Sequence, residues 1–209
     1  DSCSNCMSSP KNCSLSVDLC SVNFSTGSCI FTLETVSSGG QDIETVYATC
    51  VENRNTCLAG PISLTVGPDK QVRTNSTCCE SKNCNQNISM AVPPKSSAKN
   101  GLQCAACDAP SADQCKNNEH IPCMDSEDRC IDFAGTLANN TNTTLVLKGC
   151  ATQSACKLQV NEHFYYSRQT YTLTKVSCLQ ATSKGSNAAV HALAFFPTLA
   201  GLLLVKQLS

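Results

Sequence analysis

The chain has no tryptophan; aromatic residues make up 5% of it and charged residues 15%. So few large side chains cannot fill one large core across 209 residues, and chains in that position depend on cross-links instead. There is no run of lysine and arginine, and the formal net charge is -1. A nucleic-acid partner is therefore excluded, because nothing would neutralise its phosphates. Catalytic patterns are missing as well: no Gly-x-Ser-x-Gly, no His-Glu-x-x-His and no phosphate-binding loop. His120 and His163 sit beside no nucleophile and read as surface residues. The Asp125–Asp128 run lacks the ligand order and glycine of a calcium loop and reads as a solvated turn. The expectation is a protein with no catalytic residues, cofactor or metal site.

Cysteine is what the chain has in quantity. Eighteen of them amount to about 9% of the residues, the level of a disulfide scaffold. Such a scaffold persists in an oxidising compartment, so the protein is expected to be extracellular. The pairs Cys3/Cys6 and Cys104/Cys107 have the C-x-x-C spacing of zinc and redox sites. The matching Cys or His sets are absent, and these pairs read as structural disulfides. Asn-x-Ser/Thr acceptor sites occur at Asn23, Asn75, Asn87, Asn139 and Asn142, in keeping with secretion. A sixth, at Asn12, is set aside because Cys13 beside it is expected to be bonded. The chain opens on Asp1-Ser2-Cys3, already inside the cysteine framework, which reads as a mature start.

The cysteines repeat. Ten run from Cys3 to Cys84 and eight from Cys104 to Cys178. Each set opens with C-x-x-C, passes through three short gaps, and then shows a gap of about twenty residues, a short one, and another of about twenty. The boundaries read as a first domain over 1–86, a linker over 87–101, a second domain over 102–182 and a tail over 183–209. The linker stretch is rich in Pro, Ser and Lys, with no hydrophobic periodicity.

The long gaps read as β-hairpins. Ser28–Glu34 and Thr45–Val51 flank the turn cluster Ser37–Gly40, and Ile62–Val66 and Gln71–Thr74 flank Gly67–Lys70. In the second set, Arg129–Phe133 and Thr144–Lys148 flank an Asn/Thr-rich turn. Lys157–Val160 and Thr170–Val176 flank an aromatic loop. No amphipathic helix is evident. Each repeat is expected to be a small antiparallel β-domain radiating from a disulfide base.

The first set ends on Cys78-Cys79-Glu80-Ser81-Lys82-Asn83-Cys84-Asn85. Adjacent cysteines bond each other only with strain, so Cys78 is expected to pair upstream and Cys79 forward to Cys84. The second set stops without this knot. With the opening C-x-x-C and the two hairpin gaps, the terminal C-C-x4-C-N resembles the three-finger domain of the urokinase-receptor/lymphocyte-antigen family. The resemblance spans roughly residues 1–180 and implies an all-β, disulfide-rich fold of two tandem three-finger (snake-toxin-like) domains. The family's connectivity implies Cys3–Cys29, Cys6–Cys13, Cys20–Cys50, Cys57–Cys78 and Cys79–Cys84, then Cys104–Cys130, Cys107–Cys115, Cys123–Cys150 and Cys156–Cys178. Spacing alone leaves the pairings open. The paired domains, and Leu147–Cys156 in particular, are also similar to gamma-type phospholipase A2 inhibitors of reptile blood. That similarity makes a secreted phospholipase A2 a possible partner. The chain does not resemble the enzyme: Glu80-Ser81 follows the paired cysteines where the enzyme carries His-Asp.

After Cys178 the composition changes. Ser183–Ala189 is small and polar, and Ala192–Val205 is an apolar run of about fourteen residues, shorter than a spanning helix. Small residues, a spacer and an apolar end match a glycosylphosphatidylinositol-attachment signal, with Ser186 or Asn187 as the attachment residue. A short transmembrane anchor and a degenerate tail on a secreted protein are the alternatives.

For partner binding, Phe164, Tyr165, Tyr166, Arg168 and Tyr171 gather in the aromatic loop, and tyrosine and arginine are residues that interfaces favour. They are the candidate contact patch, against the alternative that they pack on the hairpin base or on domain one. The expected function is that of a non-enzymatic, lipid-anchored binding module on the cell surface, with inhibition of secreted phospholipase A2 as the alternative.

Overall fold

The computed structural model describes residues 1–8, 18–58, 60–86, 88–115 and 119–183. Cys13, Asn87, Ser186, Asn187 and the apolar tail lie outside the described residues. Regular structure within them is strand, with three short 3-10 turns and no α-helix. The expected all-β, disulfide-rich class is the observed one.

The first repeat contains β1 (Ser2–Ser8), β2 (Asp18–Ser21), β3 (Ser28–Ser38), β4 (Gln41–Val51), β5 (Ile62–Gly67) and β6 (Lys70–Cys79). The second contains β7 (Lys99–Ala109), β8 (Glu119–Met124), β9 (Arg129–Leu137), β10 (Asn140–Ala151), β11 (His163–Tyr166), β12 (Gln169–Gln180) and β13 (Thr182–Ser183). Local sequence explains the hairpins. β3 and β4 meet at Gly39-Gly40, whose φ angles of 57° and 80° suit a two-residue turn matched to strand twist. One expected strand is displaced: Lys157–Val160 is not a strand, and the aromatic stretch His163–Tyr166 is. Phe and Tyr fit a pleated, covered surface, and Ser167-Arg168 supplies the turn, both residues lying at positive φ.

Main-chain pairing does not stop at the repeat boundary. The strands run in the order β11-β12-β9-β10-β5-β6-β3-β4-β1-β2, with β7, β8 and β13 branching from β10. The junction is short: Cys150 pairs with Thr65 and Ala151 with Leu64. Gly149 makes it possible, since a Cβ there would stand 2.1 Å from the Thr65 carbonyl oxygen. The main core lies between the repeats. Val36, Leu64 and Val72 of the first pack with Phe133, Leu147 and Leu173 of the second.

Eight disulfides are described: Cys3–Cys29, Cys20–Cys50, Cys57–Cys78, Cys79–Cys84, Cys104–Cys130, Cys107–Cys115, Cys123–Cys150 and Cys156–Cys178. Asn85, directly after the knot, is 1% exposed. Its Oδ1 accepts from the Ser4 amide, and its Nδ2 donates to the carbonyls of Ser4, Ile30 and Thr49. One side chain thus stitches β1, β3 and β4. The second repeat closes differently: Thr182 and Ser183 pair with Gln103 and Leu102, and Asn100 Nδ2 donates to the carbonyls of Asp125 and Glu127.

Candidate binding surfaces and the contact between the repeats

The sequence-level contact patch is not exposed. Phe164, Tyr165 and Tyr166 are 4–6% exposed and Tyr171 is 9% exposed. Phe164, Tyr166 and Tyr171 belong to the shared core, and Tyr165 lies against Tyr47 of the first repeat, ring centroids 4.7 Å apart. The reason is the apolar area of the rings, which is better buried against the neighbouring repeat than left in water. Arg168 alone of the five is exposed, and its main chain is already engaged.

That engagement centres on Glu34, fully buried in β3. The Ser167 amide donates to Glu34 Oε1 at 2.9 Å and the Tyr47 hydroxyl donates to Oε2 at 2.8 Å. The Arg168 amide in turn donates to the Tyr47 hydroxyl at 2.8 Å. Two successive amides of a left-handed turn form an anion-accepting concavity, and the first repeat provides the carboxylate. A reciprocal contact sits nearby. Glu127 of the second repeat, 1% exposed, accepts from Ser63 Oγ, Thr65 Oγ1 and its own Met124 amide. Burial pushes both carboxyls above their ordinary range, and the hydrogen bonds they accept offset part of that shift. At the edge, Asp108 accepts from Tyr166 and pairs with Lys70, whose ammonium lies over the Tyr166 ring. Nothing in the sequence marked Glu34; its place on a strand whose two faces are both covered could not be read from alternation.

The sulfurs of Cys3, Cys20 and Cys50 lie within 4.8 Å of one another, as do those of Cys104, Cys123 and Cys150. All six belong to disulfides, which leaves no thiolate for a metal. Among the described residues, the exposed surface includes hairpin tips and a cleft. Residues 38–43 at the β3–β4 tip are exposed, Ile43 at 45%. Asn139 and Asn142 are exposed around the β9–β10 tip. Asn23 is exposed in the β2–β3 loop, where its side-chain oxygen accepts from the Ser25 amide. Asn75 is half-buried on β6. A cleft of about 450 Å³ separates Glu52 and Asn53 from Gln159–His163 of the other repeat. Among the described residues, no helix is long and apolar enough to cross a membrane.

No family model matches the chain. A gamma-type phospholipase A2 inhibitor of Gloydius brevicaudus siniticus is 25% identical over 156 residues, covering 75% of this chain and 76% of that one. Ly6/PLAUR domain-containing protein 8 of Bos taurus is 28% identical over 174 residues, covering 78% and 70%. The crystal structure of mouse TEX101 aligns with 88% of this chain and 100% of that one, at 17% identity and a TM-score of 0.40, too loose to bear on the fold. With its paired cysteine sets, all-β hairpins and these relatives, the chain is similar to proteins of the urokinase-receptor/lymphocyte-antigen family.

Proposed function

We infer that the chain is a non-enzymatic extracellular binding protein. It is held on the outer leaflet by a glycosylphosphatidylinositol anchor at Ser186 or Asn187 and recognises a protein partner through its hairpins. The observation that carries this reading is where the perturbed groups lie. Glu34 and Glu127 each accept hydrogen bonds from the opposite repeat, so burial there serves cohesion, whereas catalytic sites place such groups in a cleft beside a reacting atom. The exposed β3–β4 tip is left for contact, while the acceptor sites Asn139 and Asn142 would put sugar on the β9–β10 tip. Treatment of expressing cells with phosphatidylinositol-specific phospholipase C tests the anchor; the protein is expected in the medium, and retention on the membrane overturns the anchored reading.

A second reading is favoured by the names of several of the relatives, which are phospholipase A2 inhibitors. In that reading the partner is a secreted phospholipase A2. Purified residues 1–183 are then expected to reduce lipid hydrolysis by that enzyme, and full activity at excess protein removes this reading.

A further inference from the structure

Within the 87–101 stretch that composition reads as a linker, residues 88–98 lie along the first repeat as a strap and 99–101 already belong to β7. Ile88, Met90 and Val92 alternate and pack on Phe31, Leu33, Val46 and Ala48. These four share one face of β3 and β4, where Phe31 pairs with Ala48 and Leu33 with Val46. On β6 the same face carries Asn75, Arg73 and Gln71, which pair with Leu33, Thr35 and Ser37. Each of the three donates to a strap carbonyl: Asn75 Nδ2 to Ala91, Arg73 Nη1 to Pro93 and Gln71 Nε2 to Ser96. Asp42 adds an ion pair to Lys95 and another to Arg73.

This face reads an extended chain in the way a peptide-recognition site does. Main-chain carbonyls are held by a ladder of side chains, which supplies affinity without regard to sequence, while alternate apolar residues enter a shallow trough, which supplies selectivity. The strap fits it incompletely. Thr35 Oγ1 and Arg73 Nε, on this face and on residues 3% and 5% exposed, have no hydrogen-bond partner, and a buried polar atom left without one weakens the arrangement that buries it. We propose that the outer face of β3, β4 and β6 is a recognition surface for an extended peptide with apolar residues at alternate positions followed by proline, and that residues 88–98 are its resident occupant. The inference stands apart from the lipid anchor and from phospholipase A2.

The test uses a labelled synthetic peptide of residues 88–98 and fluorescence anisotropy on residues 1–183. In the unaltered protein the tethered strap competes at an effective concentration of the order of millimolar, so the peptide is expected to bind poorly. The double variant Met90→Asp/Val92→Asp changes only the strap, and is expected to bind the peptide at least ten-fold more tightly. Adding Arg73→Ala to it is expected to reverse that gain, and a peptide with Asp at both apolar positions is expected not to bind. Should the double variant lose its cooperative unfolding transition, Met90→Ser serves in its place with the same direction of effect. A folded strap variant that binds the peptide no better than the unaltered protein overturns the proposal, as does a gain that survives Arg73→Ala.

Discussion

Replacing Tyr47 by Phe removes one oxygen from the contact between the repeats and leaves the ring against Tyr165 in place. That oxygen donates to Glu34 and accepts from the Arg168 amide. A hydrogen bond to a charged group contributes about 1.5–3 kcal/mol and a neutral one about 1 kcal/mol, so their joint loss should cost about 3 kcal/mol. For a chain of this size that corresponds to roughly 10 °C in Tm. The cost should depend on pH. Burial raises the Glu34 pKa above its ordinary value of 4.5, so its folded-state contribution is full below 4.5 and is lost as pH rises through the folded value. Glu127 behaves alike. Asp42 is shifted the other way, chiefly by its hydrogen bond from Ser37; its contribution is lost only as pH falls below 3.8, outside this window. The Tyr47 hydroxyl is one of the bonds that lower the Glu34 pKa. Without it the carboxyl rises further, and the penalty of Tyr47→Phe should grow as pH rises through the folded-state pKa of Glu34. Denaturant unfolding of both proteins at several pH values measures this. A penalty under about 0.5 kcal/mol, or one that stays flat with pH, would refute the assignment of this hydroxyl to the charged contact.

Thr65→Val removes one of the donors to Glu127 and should lower stability by about 1.5–3 kcal/mol at neutral pH, measured by urea unfolding; no change would mean that the buried carboxyl is held by its other donors alone. Asn85→Ala removes the side-chain partner of the Ser4 amide and of the Ser4, Ile30 and Thr49 carbonyls, and a loss of about 3–5 kcal/mol in chemical unfolding is expected, with all disulfides still formed. Gly149→Ala places a methyl group against the Thr65 carbonyl. Hydrogen exchange should then show loss of protection at the β5–β10 junction, while the β3–β4 hairpin keeps its own.

The hairpins were legible because turn chemistry is local. Gly39-Gly40 and Gly67–Lys70 announce reversals, and the flanking residues are β-formers. The β11 assignment failed for the same kind of reason. Ser167-Arg168 carries no glycine, and its left-handed conformation is sustained by contacts made 133 residues away, at Glu34. The strap was missed because Ile88, Met90 and Val92 are only three apolar residues beside a proline pair, too short a pattern to distinguish from a linker without the face they cover. The sharpest limit lies in β3. Thr32, Glu34 and Thr35 look like solvent-facing positions between Phe31, Leu33 and Val36, yet residues 28–37 are buried throughout. Alternation predicts one wet face; the second repeat covers one side of this strand and the strap covers the other. Which residues occupy the contact between the repeats depends on pairings far apart in sequence, and no local pattern encodes them.

The double cover over β3 has a consequence for biogenesis. As the chain emerges, the β3–β4 hairpin can form and Cys20–Cys50 can close early. One apolar face must then wait for the strap, and the other for a turn made 133 residues after Glu34. At ordinary synthesis rates that wait is on the order of ten seconds, with Ile30, Val36 and Tyr47 uncovered throughout. The half-made protein is therefore a client for lumenal chaperones, and shortening the second repeat should impair secretion of the first even though each carries its own disulfides.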